Sequence, residues 1–252
     1  MIPRTMYEQC LPDNSVDLAI STVAIHYLSK QVCPIKHGVT FEEADEEERQ
    51  LMSEQGEADW RAFVLSRGRE LKPGGAVIVL SASCNDKGKL PSFFDEGHSV
   101  LGRIVSDMVG EGIITQDEYR ATNLYILHGR TEYDFRKPFT SGLPDIKELG
   151  LELVTTNISS WHLPHRIFDI IDKDTTGKQE YSQMIVSMMF PWMHHVLYGG
   201  LSNSRSEEEK EQIITQYFDR LQTYAYNHSD SKPSIFFTEV VIKKNIKLTQ
   251  HS

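Results

Sequence analysis

The chain has 252 residues, 39% of them hydrophobic and 25% charged, a balance that suits a soluble globular protein of one large domain or of one domain plus a cap. Its net charge of −10 argues against binding through nucleic-acid phosphates. Three cysteines, Cys10, Cys33 and Cys84, lack paired spacing, and no run of about 18 apolar residues occurs, so neither a disulfide framework, nor a zinc site, nor a membrane span is expected.

The acidic excess falls in two runs, Glu42–Glu48 and Glu207–Glu211, which read as solvated faces. The start, MIPRTMYEQC, has no apolar stretch of signal-peptide type, and a cytoplasmic location is expected. In chain order, Val16–Ser21 (VDLAIS) follows the turn residues Pro12-Asp13-Asn14 and predicts a buried parallel strand. Residues 34–57 are polar and acidic and read as a loop, with room for one exposed helix. A helix is expected over Ala58–Leu71, its apolar face built from Trp60, Phe63, Val64 and Leu71. Lys72-Pro73-Gly74-Gly75 reads as its stop, and Ala76–Ser81 (AVIVLS) as a second buried strand. Residues 97–110 carry Val100, Leu101, Ile104, Val105, Met108 and Val109 as one helical stripe.

The second half has a different texture. Leu151–Ile158 alternates as a strand does. Tyr181–Tyr198 is rich in Met, His and aromatic residues. Glu207–Tyr226 is an amphipathic helix through Ile213, Ile214, Tyr217, Phe218 and Leu221. Ile235–Ile242 (IFFTEVVI) is a strong final strand. Strand, helix, strand, then a helical insertion and two late strands predict an α/β fold with a helical cap.

Two stretches carry the chemistry. Leu11–Ser29 (LPDNSVDLAISTVAIHYLS) runs from a strand into a short loop or helix, and Arg69–Leu80 (RELKPGGAVIVL) runs from a helix into the next strand. In open parallel sheets, ligands bind beyond the carboxyl ends of the strands, and Ser21–Ser29 lies just past such an end. Together these stretches resemble class I S-adenosylmethionine-dependent methyltransferases, with a Rossmann-like sheet.

A finer resemblance is to the plant-type carboxyl methyltransferases of the SABATH family. It rests on Arg4-Thr5-Met6-Tyr7, Leu11-Pro12, Ser15 and Ser21–Ser29. It continues through Asp59-Trp60, Phe63-Val64, Arg67-Gly68 and Glu70–Gly75, then Met108–Ile114. Weaker echoes lie at Thr122-Asn123-Leu124-Tyr125 and at Ile185–Pro191. The resemblance implies that residues 1–115 are the C-terminal half of the Rossmann-like core. Residues 116–232 would be a mainly helical substrate-binding cap with a core strand near 151–160, and 233–252 the last core strand and tail. The family's glycine-rich first strand–turn and the acidic residue after the next strand are not found, since VDLAIS matches the fourth strand. The expected class is therefore an N-terminally truncated α/β class I methyltransferase sheet with an α-helical cap.

The implied reaction is methyl transfer from S-adenosyl-L-methionine to the carboxylate of a small hydrophobic acid. A carboxylate is ionised at neutral pH and needs no general base, so positioning in a dry pocket would carry the rate. The family holds the carboxylate with an indole N–H and a Gln amide. The indole position falls on Tyr27 and a neighbouring pocket position on His26. His98, Leu127, Trp161, Ile185 and Met188 match further pocket positions. Thr5, Met6, Ser21 and Val23 fall beside the cofactor. Each of these residues can also be read as ordinary packing. Tyr for Trp keeps the alternative of O- or N-methylation of other small molecules open, and the missing half keeps open a non-catalytic binding module. A small carboxylic acid is the implied partner, and a homodimer is compatible with the pattern; no membrane partner is implied. Asp172–Gly177 imitates the start of a calcium loop, but Gln183 stands where a bidentate Glu is needed. His194 and His195 are adjacent and point to different helix faces, so no metal is expected there.

Overall fold

A computed structural model describes all residues except 1–3, 37, 40, 86–98, 123–127, 163–174, 231–233 and 247–252. Four strands form one sheet: β1 (Val16–Thr22), β2 (Leu71–Ala82), β3 (Leu151–His162) and β4 (Ser234–Lys244), in the order β1-β2-β4-β3. β1 and β2 run parallel, while β4 is antiparallel to both β2 and β3. Seven helices are described: α1 (Glu46–Glu70), α2 (Ser99–Gly110), α3 (Gln116–Ala121), α4 (Glu132–Thr140), α5 (Pro144–Glu148), α6 (Thr175–Gly200) and α7 (Glu207–Asn227). Among the described residues no helix is long and apolar enough to cross a membrane.

β1 departs from the expectation of a buried strand. It is parallel to β2, as expected, but it is an edge of the described sheet. Leu18 and Ile20 are therefore 52% and 64% exposed. An apolar strand reads as buried in sequence because nothing in its composition says whether a neighbour covers it. The Lys72–Gly75 breakers also do something other than stop a helix. α1 ends at Glu70, and these residues belong to β2. There the β1–β2 register jumps from Val16↔Leu71 to Leu18↔Ala76. The extra β2 residues are accommodated at Gly74, whose φ of +86° is open to glycine at little cost.

α1 is nearly twice as long as the sequence suggests. Its first half was hidden in the acidic stretch, yet that stretch holds its start signal. Asp45 accepts from the Glu48 backbone N–H, and the Glu48 carboxylate accepts from the Asp45 backbone N–H, a capping box. Glu48 is thereby buried and not part of a solvated face. Downstream, Trp60, Phe63, Val64 and Leu71 are buried as expected and pack with Val77, Val79, Val240 and Ile242 of the sheet. The Trp60 indole N–H donates to the Phe135 carbonyl at 3.1 Å, tying α1 to α4. α3, α4 and α5 were not foreseen; α3 and α4 each open on a capping box, at Thr115/Glu118 and Thr131/Asp134.

A second, helical core gathers Val100, Leu101, Ile104, Val105 and Met108 of α2, Tyr181, Ile185, Met189 and Met193 of α6, and Ile213, Ile214, Tyr217, Phe218 and Leu221 of α7. The stripes read from sequence on α2 and α7 are the buried faces. Pro191 lies inside α6 without ending it. The calcium-like segment falls partly outside the described residues; its Thr175-Thr176-Gly177 end begins α6. His194 and His195 present rings nearly at right angles, and His194 meets Glu211 of α7 at 3.3 Å. Among the described residues no group of three His, Cys, Asp or Glu is placed to hold a metal.

Candidate active site

At the carboxyl end of β1 the chain turns sharply out of the sheet. Val23 takes φ of +51°, a conformation that costs a β-branched residue energy and persists only where its surroundings hold it. Here the Val23 N–H is held by the Leu80 carbonyl of β2 at 2.7 Å. The turn delivers Ala24–Ser29 to the space above the β1 and β2 ends. Ile25, His26 and Leu28 are buried, while Tyr27 is half-buried.

This loop is fastened from outside by three consecutive carbonyls. The Tyr7 hydroxyl donates to the carbonyl of Tyr27 and, at 3.5 Å, to that of Ile25. The His128 N–H donates to the His26 carbonyl at 3.0 Å, and the Arg130 guanidinium donates to the Ile25 carbonyl at 2.5 Å. Ser29 N–H donates to buried Asp59 on α1 at 2.8 Å. Tyr7 itself is brought in by the end of α1. Arg67 donates to the carbonyls of Met6 and Glu8 at 3.1 and 2.8 Å, and the Glu70 carboxylate accepts from the N–H groups of Cys10 and Leu11. The 128–130 segment crosses the end of β2, where Cys84 N–H donates to the Arg130 carbonyl at 2.9 Å.

The electrostatics follow from burial. Burial, aided by the Arg130 charge, pushes the His26 imidazole down to about 4 and that of His128 down to about 3. Both rings are therefore neutral at pH 7. Burial pushes the Tyr7 phenol up to about 12, so it stays protonated and can donate. His26 Nδ1 and His128 Nδ1 are buried with no hydrogen-bond partner among the described residues. Tyr27's ring stands 4.4 Å from that of His26, and its hydroxyl makes no hydrogen bond among the described residues.

The structure places His26 and Tyr27 in the loop that follows Ser21 and Val23 at the carboxyl end of β1, whereas the Thr5-Met6 turn lies by the last turn of α1, where Arg67 holds the Met6 carbonyl. Thr5 and Val23 are exposed, and Met6 and Ser21 are partly buried. Ile185 and Met188 lie on α6; Ile185 is fully buried in the helical core, and Met188 packs at its margin. Trp161 pairs through its backbone with Ile235 in the sheet. His98 and Leu127 lie outside the described residues. Sequence reasoning missed Tyr7, His128 and Arg130, whose roles rest on contacts between segments far apart in the chain.

The sequence profile of the SAM dependent carboxyl methyltransferases matches residues 1–137. The chain belongs to that family. Methyltransferase FUS9 of Gibberella moniliformis is 22% identical over 260 residues, covering 97% of this chain and 66% of the relative. Methyltransferase LUC1 of a Fusarium species is 24% identical over 243 residues, covering 91% of this chain and 62% of the relative. The chain thus spans somewhat less than two thirds of the length of these curated relatives. A solved loganic acid methyltransferase holding SAH superposes with a TM-score of 0.65 at 17% identity, over 99% of this chain and 67% of that one. That likeness gives the fold: an α/β, Rossmann-like class I methyltransferase sheet.

Proposed function

We propose that this chain supplies the acceptor side of an S-adenosylmethionine-dependent methyltransferase that esterifies the carboxylate of a small hydrophobic acid. Membership in the carboxyl methyltransferase family supports the reaction class. The observation that carries the reading is the loop Ile25–Tyr27, held at a strand end by Tyr7, His128 and Arg130, with the half-buried Tyr27 hydroxyl making no hydrogen bond among the described residues.

The chemistry asks for little else. S-adenosylmethionine, when bound, supplies an electrophilic methyl group. The family resemblance assigns Thr5, Met6, Ser21 and Val23 to the cofactor; of these, Ser21 and Val23 stand at the carboxyl end of β1, where ligands of such sheets bind. The Tyr27 hydroxyl would donate to one carboxylate oxygen and leave the other facing the methyl group. Neutral His26 holds no charge that would pair with the acid, so hydrogen bonding and shape orient it. Half-buried Met188 and the His98, Leu127, Trp161 and Ile185 positions are proposed for the apolar part of the acid. The reading implies a cytoplasmic enzyme acting on free small molecules.

The test is methyl-ester formation. The chain, alone and joined to any in-frame sequence encoded upstream of Met1, is incubated with S-adenosylmethionine and a panel of aromatic, terpenoid and fatty acids. Mass spectrometry reads the products. Esters of one acid class are expected; methylated amines or phenols without any ester would overturn the carboxylate assignment.

A further inference from the structure

Arg130 is one of the most deeply buried large side chains of the molecule, with 1% of its surface exposed. Burying a guanidinium is costly unless its donors are met, and a buried cation is usually paired with a carboxylate. Among the described residues Arg130 has no carboxylate within ion-pair distance. Its partners are backbone carbonyls and, beside them, the Tyr7 hydroxyl. Nε and one terminal nitrogen donate to Gly56 of α1 at 3.2 and 2.7 Å, and the other terminal nitrogen donates to Ile25 of the loop at 2.5 Å. The planar fork of arginine suits such a bridge between two fixed acceptors, and the single ammonium of lysine does not.

The surroundings are shaped for this bridge. A Cβ on Gly56 would lie 2.3 Å from the His128 ring, so only glycine lets the 128–130 segment lie against α1. His128 in turn donates its backbone N–H to the His26 carbonyl, one residue along from the carbonyl Arg130 holds. Burial lowers the affinity of Arg130 for its proton, while Tyr7, Asp59 and Asp134 act against that loss.

We propose that Arg130 is a positioning residue for the acceptor: by bridging Ile25 to Gly56 it sets the direction in which His26 and Tyr27 face the substrate. An apolar side chain of similar volume would avoid the desolvation of a cation but would leave the buried Ile25 carbonyl without its guanidinium donor, so the fork both meets that acceptor and fixes where the loop lies. The effect on turnover rests on the proposed carboxyl methylation, whereas the hold on the loop does not.

The experiment therefore has two readouts. Hydrogen–deuterium exchange is compared across the wild type, Arg130→Met and Arg130→Lys, and kinetics are measured on the same samples. Arg130→Met is expected to speed exchange in residues 24–28 by about tenfold while β4 stays protected. It is also expected to lower kcat for the acid by roughly tenfold or more, with the affinity for S-adenosylmethionine within about threefold. Arg130→Lys keeps the charge and loses the fork, and should recover folding but little of kcat. If Arg130→Met does not melt cooperatively, Arg130→Lys alone carries the test. Unchanged exchange in 24–28, or wild-type kcat in Arg130→Lys, would overturn the proposal. A wild type that makes no ester even when joined to the in-frame sequence upstream of Met1, with the loop still loosened in the variants, would overturn the proposed reaction and support the hold on the loop.

Discussion

Replacing Glu118 by Gln probes how the helical core is joined to itself. The Glu118 carboxylate lies 4% exposed at the start of α3. One oxygen accepts from Arg205 Nε at 2.5 Å and from the Ser202 N–H at 2.9 Å; the other accepts from Arg205 at 2.7 Å and from the Thr115 N–H at 2.8 Å. It thus caps α3 and fastens the turn between α6 and α7. The Arg205 bonds first, then the two backbone N–H groups, pull this carboxyl from 4.5 to about 2 against the opposing effect of burial. A gap of that size corresponds to about 3 kcal/mol of folding stability. Because the folded pKa is the lower one, this stability is complete above pH 4.5 and drains away as pH falls toward 2. Urea unfolding of wild type and Glu118→Gln at a series of pH values measures it. The variant should be less stable by about 3 kcal/mol at pH 7, and the difference should shrink steadily below pH 4.5. A difference under about 1 kcal/mol at pH 7, or one that stays flat into acid, would refute the reasoning.

Other expectations follow from the same structure. Ile20→Lys places a charge on the exposed edge strand; self-association measured by light scattering should fall while Tm stays within about 2 °C, and unchanged association would mean the edge is harmless. Trp60→Ala removes a fully buried indole and its bond to Phe135, and should cost about 3–5 kcal/mol in urea unfolding; a loss under about 1 kcal/mol would contradict its place in the core. Tyr27→Phe should lower kcat/KM for the acid roughly tenfold with little change in folding, and unaltered kinetics would make Tyr27 a packing residue.

The amphipathic elements could be read from the sequence because their spacing is their packing. Val100 to Met108 and Ile213 to Leu221 form stripes, and those stripes are the buried faces of α2 and α7. The first half of α1 was illegible to periodicity, since Glu46–Glu57 is mostly polar; its signal was the Asp45/Glu48 pair, a cap and not a stripe. β1 shows the opposite failure. Its composition is that of a covered strand; its match to the fourth strand of the fold, with the preceding strands not found, points to an edge, and β1 is an edge of the described sheet. At the site, His26 and Tyr27 could be named because a local motif carries them. Arg130 could not, because it acts on the carbonyl of a residue 105 positions away, and a carbonyl has no side-chain identity to match. Tyr7 lay within a motif, yet its hydroxyl bond to the Tyr27 carbonyl is a product of the fold.

The most direct test of the account is where an esterifiable acid binds. A crystal structure of the active protein with S-adenosylhomocysteine and such an acid should place a carboxylate oxygen within hydrogen-bond distance of the Tyr27 hydroxyl, beside the His26 ring, at the carboxyl end of β1. An acid seated instead in the polar cleft between α1 and α4, against Arg49, Glu57 and Lys137, would contradict it.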